Sequence, residues 1–361
     1  MTRITVKIGS NVLTRPDGTL DITRMSSLVD GVAAVRRAGH EVIMVSSGAV
    51  AAGRSELAGR PTGRLDSVSA RQLFSAVGQA KLIDRYVQLF REYDIVCGQV
   101  LTAKENFATR HHYLTQHNCM EVMLRAGVVP VVNENDTVSV TELMFTDNDE
   151  LSGLIAAMMG CSRLILLSNI DGLYTGHPDR PGSRLIRTVR PSDDLSGCIA
   201  ATRSSLGRGG MNTKYRIARK IAAEGIPVTI ANGTRPDILQ SLLLPGTPEV
   251  PSTTFEASEA RVSGVKRWIA HSGSWAKGKL HLTAEAAGTL RSRDGTSLLP
   301  IGVTDAEGEW TRGEIVEILA PDGSTLGWGK AATDSGAARA ALGQSGGRPL
   351  VHADYLYIEE A

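Results

Sequence analysis

Aromatic residues are scarce: four Trp, seven Tyr and five Phe make up 4% of the chain. A core must therefore rest on Val, Ile, Leu, Ala and Met, which the 42% hydrophobic content supplies. Cysteine is also sparse. Cys97, Cys119, Cys161 and Cys198 are widely spaced and form no Cys-x-x-Cys pair, which argues against a disulfide framework or a structural zinc site. No charge of one sign dominates: 39 Lys plus Arg face 38 Asp plus Glu, for a net charge of +1. Nothing draws the chain as a whole to nucleic acid or to an anionic membrane. A run of about 18 apolar residues, enough to cross a bilayer, is missing. The opening MTRITVKIGSN lacks the apolar stretch of a signal peptide, so a cytoplasmic location is expected. What is present is 361 residues with 21% charge, a soluble composition and length enough for two domains.

Residues 1 to about 245 alternate between β-branched runs and longer helical patterns. Strands are expected at Ile4–Ile8, Val42–Ser46, Ile95–Leu101, Val128–Asn133, Leu164–Ser168 and Val228–Ala231. Helices are expected at Ile22–Ala38, Ser69–Tyr93, Arg110–Ala126 and Thr213–Ala223, with Gly39, Gly127 and Gly225 as stops. This alternation implies an α/β fold with a mostly parallel sheet covered on both faces. Ligands in such sheets bind beyond the carboxyl ends of the strands. The stretch Leu244–Thr254 carries three prolines in eight residues and reads as a linker. Beyond it, short strands at Lys279–Leu282, Glu314–Leu319, Leu326–Gly329 and Tyr355–Glu359 suggest a small, mainly β module.

Four segments carry chemistry. Val6-Lys7-Ile8-Gly9 places a lysine inside an apolar strand, which is costly unless it meets an anion; an outward surface lysine is the bland alternative. Val45-Ser46-Ser47-Gly48 breaks a strand into small residues before an Ala-rich helix. That suits a bound anion at the helix start, or simply a serine N-cap. Asn133-Glu134-Asn135-Asp136 follows a strand, and Asp147-Asn148-Asp149-Glu150 opens a helix. Such clusters hold an amine, a cationic side chain or hydrated magnesium, although Asp147 and Asp149 also suit helix caps. Gly207-Arg208-Gly209-Gly210 leads into a helix bearing Lys214. It shares the logic of a phosphate-binding loop without matching Gly-x-x-x-x-Gly-Lys-[Ser/Thr]. Gly343-Gln344-Ser345-Gly346-Gly347 mimics a hydrolase motif but lacks the strand–turn–helix context.

In this order the blocks resemble those of the amino acid kinase superfamily, and more specifically its glutamate 5-kinase family. They are VKIGSNVL, VSSGAVAAGR, AVGQAKLI, PVVNENDTV, DNDELSGLIA and GGMNTK, with LLSNIDGLYTGHP similar to a nucleotide-binding turn. VKRWIA, GTSLLPIGV and RGEIVEIL resemble a PUA module. The resemblance implies a catalytic domain over residues 1–245, a linker over 246–258 and a PUA-like domain over 259–361. It implies ATP and Mg2+, with phosphorylation of the side-chain carboxylate of L-glutamate to L-glutamate 5-phosphate, the first step of proline synthesis. Lys7 and Lys214 would contact the ATP phosphates and Asp149 would orient both lysines. Ser47, Asp136 and Asn148 would bind glutamate. Ser168, Asn169, Arg208, Gly209, Gly210, Met211, Asn212 and Thr213 would complete the nucleotide site; the family often has aspartate where this chain has Asn169. Also implied are feedback inhibition by proline, hand-over of the product to a reductase, and a homo-oligomer, dimer or tetramer. PUA modules elsewhere bind RNA, but residues 259–361 hold 11 Lys plus Arg against 13 Asp plus Glu. Phosphate contacts need a basic surface, so nucleic acid is not an expected partner.

Overall fold

A computed structural model describes residues 1–138, 147–193, 195, 210–259, 264–293, 295–345 and 347–359. They form two units: Met1–Asn106 with Thr115–Ala260, and Phe107–Leu114 with Arg261–Ala361.

The first unit is built on an eight-stranded sheet. Its strands are β1 (Arg3–Ile8), β2 (Glu41–Ser46), β3 (Cys97–Thr102), β4 (Val129–Glu134), β5 (Arg163–Ser168), β8 (Thr188–Val189), β9 (Val228–Asn232) and β10 (Ser252–Phe255). The short strands β6 (Leu173–Tyr174) and β7 (Leu185–Ile186) pair with each other instead. The order across the sheet is β3-β4-β2-β1-β5-β9-β10-β8. Every pairing is parallel except β10 against β9. The stretch 246–258, expected to be a linker, thus contributes β10 to the sheet. Its prolines, at positions 248 and 251, precede the strand and leave Ser252–Phe255 free to pair.

Connecting the strands are α1 (Ser10–Leu13), α2 (Ile22–Arg37), α3 (Ala49–Glu56), α4 (Ser67–Arg91), α5 (Arg110–Arg125), α6 (Asn148–Met158), α7 (Met211–Ala223) and α8 (Ile238–Leu243). The two-residue period of β1 explains the layers. Ile4, Val6 and Ile8 join a core with Met25, Leu28 and Val32 of α2 and Tyr86 and Phe90 of α4. Thr5 and Lys7 point to the other face, where Thr5 meets Cys161 and Lys7 meets α6. Helix α6 lies between the sheet and α7, and Leu151 to Met158 are all buried. A helix apolar on every side is what that position requires. Helices α3 and α4 cross at two glycines: a Cβ on Gly53 would sit 1.8 Å from the Phe74 carbonyl oxygen, and one on Gly78 1.8 Å from that of Ala49.

The second unit holds α9 (Gly264–Ala270), β11 (Gly278–Leu282), α10 (Ala284–Ser292), β12 (Val303–Gly308), β13 (Ile315–Leu319), β14 (Thr325–Ala331), α11 (Ser335–Ala341) and β15 (Val351–Ile358). Its sheet runs β12-β11-β13-β14-β15 over a core that includes Leu280, Val316, Ile318, Leu326 and Val351. Phe107–Leu114 belongs here through Trp268, whose indole N–H donates to the Phe107 carbonyl at 3.1 Å. The Arg110 guanidinium lies over the rings of Tyr113 and Trp268.

Candidate active site

Parallel strands bring their carboxyl ends to one edge. Ile8 pairs with Ser46 of β2 and Leu167 of β5, and Ser168 pairs with Asn232 of β9. Residues that follow these strands are therefore neighbours in space although far apart in sequence. Gly9 donates its N–H to the Leu167 carbonyl at 3.1 Å, which ties the loop after β1 to β5. A Cβ there would sit 3.2 Å from the Leu167 carbonyl oxygen, a tight contact, so the absence of a side chain lets the loop lie close to β5.

Lys7 is not an outward surface lysine; it is 5% exposed. Its Nζ lies 2.6 Å from Asp149 Oδ1. Lys214, also buried, reaches the other carboxylate oxygen, Oδ2, at 2.8 Å. Asp149 has no exposure to solvent. Burial alone would raise its pKa, but Lys7 and Lys214 together outweigh it and hold the carboxyl below the ordinary aspartate value. Removing three charges from water is expensive. The arrangement sets two pre-organised cations on one carboxylate, where they can meet an entering anion.

Asp147 is the N-cap of α6; its Oδ1 accepts from the N–H groups of Asp149 (2.8 Å) and Glu150 (3.1 Å). The cap expectation holds for Asp147 and fails for Asp149, whose carboxylate goes to the lysines. Asp147 Oδ2 is buried with no hydrogen-bond partner among the described residues. Burial first, and the Asp149 charge second, push the Asp147 pKa up to about 6. This has a consequence for stability. The folded state holds a proton that the unfolded chain, with an aspartate pKa of about 3.9, has already lost between pH 4 and 6. Stability therefore falls as pH rises through that window. Asp147→Asn keeps the capping oxygen and removes the charge. It is expected to unfold at higher urea than the parent at pH 8, by about 1–3 kcal/mol at 1.36 kcal/mol per pKa unit. The gain should vanish at pH 4; an equal gain at both values would contradict it.

A second set lies beside the first. The Asn148 amide donates to Ser47 Oγ at 2.8 Å and to Asn133 Oδ1 at 3.1 Å. Asn148 Oδ1 is buried and has no hydrogen-bond partner among the described residues. Neither Ser46 nor Ser47 caps α3. The N-cap is Gly48 at φ 100°, with no side-chain bond, which frees Ser47 for Asn148. Asp136 is held by Arg71, whose Nε donates to Oδ1 at 2.7 Å, and by Ser75. The same guanidinium reaches Glu134 Oε2 at 3.0 Å.

The residues expected to hold a nucleotide are distributed as follows. Gly210 caps α7 without a side-chain bond, and Met211, Asn212 and Thr213 form its first turn. Backbone N–H groups at a helix start suit an anion. Ser168 ends β5 and its hydroxyl donates to Oδ1 of Asn169, the next residue, at 3.4 Å. Just beyond, Arg235 makes two 2.8 Å bonds to Asp171 and pins the loop after β5 to the loop after β9. Arg208 and Gly209 lie outside the described residues.

The structure thus joins Lys7, Lys214 and Asp149 directly, and Ser47 with Asn148. Sequence reasoning missed Arg71, Ser75 and Gln79. A signal was available: they recur every four residues on the stripe of α4 that continues into buried Leu82, Tyr86 and Phe90, so polar residues occupy an inward-facing row.

Comparison with known proteins gives the family. Residues 2–232 match the amino acid kinase family and residues 278–348 match the PUA domain. The glutamate 5-kinase of Bacteroides thetaiotaomicron is 59% identical over 358 residues, covering 99% of each chain. That of Chlorobaculum tepidum is 43% identical over 99% of this chain and 97% of its own. A solved isopentenyl phosphate kinase overlays with a TM-score of 0.50 at 19% identity, over 70% of this chain and 99% of its own, and so shares the fold. By its sheet, its site and these relatives, the chain belongs to the amino acid kinase family, among the glutamate 5-kinases, and carries a PUA domain.

Proposed function

We propose that the protein phosphorylates the side-chain carboxylate of L-glutamate at the expense of ATP, giving L-glutamate 5-phosphate for proline synthesis. The observation that carries this is the buried Lys7–Asp149–Lys214 arrangement. The nucleophile is a carboxylate with a pKa of about 4.3, already ionised at pH 7. No general base is needed. A carboxylate oxygen attacks the γ-phosphorus, the bond to the bridging oxygen breaks, and ADP departs with that electron pair. The obstacle is repulsion between anions, so catalysis is positioning and charge neutralisation. Lys7 and Lys214 meet the phosphoryl oxygens, and Asp149 keeps both ammonium groups in place. Ser47, Asn148 and Asp136 hold the amino acid. Ser168, Asn169 and the start of α7, from Gly210 to Thr213, hold ATP, with Arg208 and Gly209 preceding them in the chain. A magnesium ion fits beside Asp147, whose second oxygen has no hydrogen-bond partner among the described residues. When bound it would neutralise phosphate charge. Asp149 is unsuited to that task because lysines take both its oxygens.

The polarity of the site supports glutamate. A cationic end at Lys7 and Lys214 suits the reacting carboxylate, and a carboxylate-rich end at Asp136 and Glu134 suits an α-ammonium group. In this reading the enzyme works in the cytoplasm as a homo-oligomer, proline inhibits it near the glutamate site, and a reductase consumes the labile acyl phosphate. No helix among the described residues is long and apolar enough to cross a membrane. The test is ADP release with glutamate, aspartate and N-acetylglutamate as acceptors. Activity with glutamate alone is expected; activity with aspartate alone would overturn the assignment.

A further inference from the structure

Arg71 is assigned no role by the relatives or by the motifs above, yet it organises the end of the site remote from the lysines. It lies on α4, one turn before Ser75 and two before Gln79. Its Nε donates to Asp136 at 2.7 Å and its Nη2 to Glu134 at 3.0 Å. Both carboxylates are almost fully enclosed, with side chains 7% and 4% exposed. Ser75 donates to the second oxygen of Asp136 at 3.3 Å, and Gln79 to the Glu134 carbonyl at 3.4 Å. Two enclosed carboxylates this close repel each other unless a cation sits between them. A guanidinium holds both through its planar fork, with a donor fixed toward each. The arrangement continues toward the reacting end. The Glu134 N–H and the Asn148 amide share Asn133 Oδ1, and Asn148 is bonded to Ser47.

We propose that Arg71 is a positioning residue for the amino-acid end of the substrate: it fixes Asp136 beside Glu134 so that Asp136 receives a free α-ammonium group. This rests on the proposed glutamate site. A free α-ammonium group brings Asp136 a counter-charge. An N-acylated amino acid or an amine-free diacid brings no such cation, so the site selects a free amine. The bonds of Arg71 go to the carboxylates of Asp136 and Glu134, so its loss acts on the amino-acid end through them.

The test is steady-state kinetics of the full-length enzyme with Arg71→Met and Arg71→Lys. For Arg71→Met, KM for glutamate should rise at least about tenfold, the scale of one charge-assisted hydrogen bond, with kcat and KM for ATP within about threefold. Arg71→Lys keeps the charge but loses the fork, so its KM for glutamate should rise by an intermediate factor. If Arg71→Met does not fold, Arg71→Lys decides alone. An unchanged KM for glutamate in a folded variant overturns the inference. So does a parallel change in both KM values and kcat together with a lowered unfolding midpoint, which would mark a structural role. Failure of the glutamate assignment itself would show differently, as absence of glutamate-dependent ADP release by the unsubstituted enzyme.

Discussion

Lys214→Ala is expected to lower kcat by at least ~100-fold, the scale of removing one transition-state stabiliser from an enclosed site, with the fold retained. Lys214 sits in the first turn of α7 and its ammonium lies 2.8 Å from Asp149. As the γ-phosphoryl group passes from ATP to the acceptor, charge spreads over its equatorial oxygens. A lysine already desolvated and held in place meets that charge without reorganising. Alanine removes the cation and leaves Asp149 paired with Lys7 at 2.6 Å. No buried charge is abandoned, which is why stability should change little. The loss should fall on kcat more than on KM for glutamate, because the amino-acid end is held by other residues. Near-normal turnover in a folded variant would remove Lys214 from the mechanism. Arginine should not restore activity, since its planar head cannot occupy the site of a compact ammonium group.

Asp149→Asn should be harsher in a second respect. The side chain keeps its shape, but two buried lysines lose their shared counter-ion. Breaking a buried pair by removing one partner costs about 3–5 kcal/mol, read as a lowered urea midpoint. Asp147 tempers the cost. The charge on Asp149 is one cause of its raised pKa, so with that charge gone Asp147 is held more firmly in its ionised form near the lysines. The lower end of the range is therefore expected. Turnover should fall by about 1,000-fold, because both lysines lose their orientation together. Full activity with unchanged stability would show that Asp149 does not anchor them.

Much of the fold was legible in the sequence. Periodicity located β1, β2, β4, β5 and β9 within a residue or two, because parallel strands covered on both faces are continuous apolar runs. It also located α2 and α5, which end before glycines at φ 89° and 73°. It failed on β10, where prolines suggested a linker, and on β12, whose Thr304, Asp305 and Glu307 are exposed and polar. It did not foresee that Phe107–Leu114 groups with the second unit, since no local pattern reports a contact 161 residues away.

For the site, sequence order singled out Lys7, Ser47, Asn148, Asp149 and Lys214, and left each with a bland alternative. Lys7 might as well have faced solvent, Ser47 might have capped a helix, and Asp149 might have done the same. Composition, hydrophobic period and motif order by themselves determined the fold class, the family and the residue types that carry charge. Only the tertiary structure decided what Lys7 and Lys214 are for. Parallel strands end at one edge, so residues separated by 65 positions or more come to share one carboxylate. Burial then makes that carboxylate hold them. A lysine gains its role from the electrostatics of an enclosed site, and enclosure is a property of the packed sheet and its helices, not of any stretch of chain.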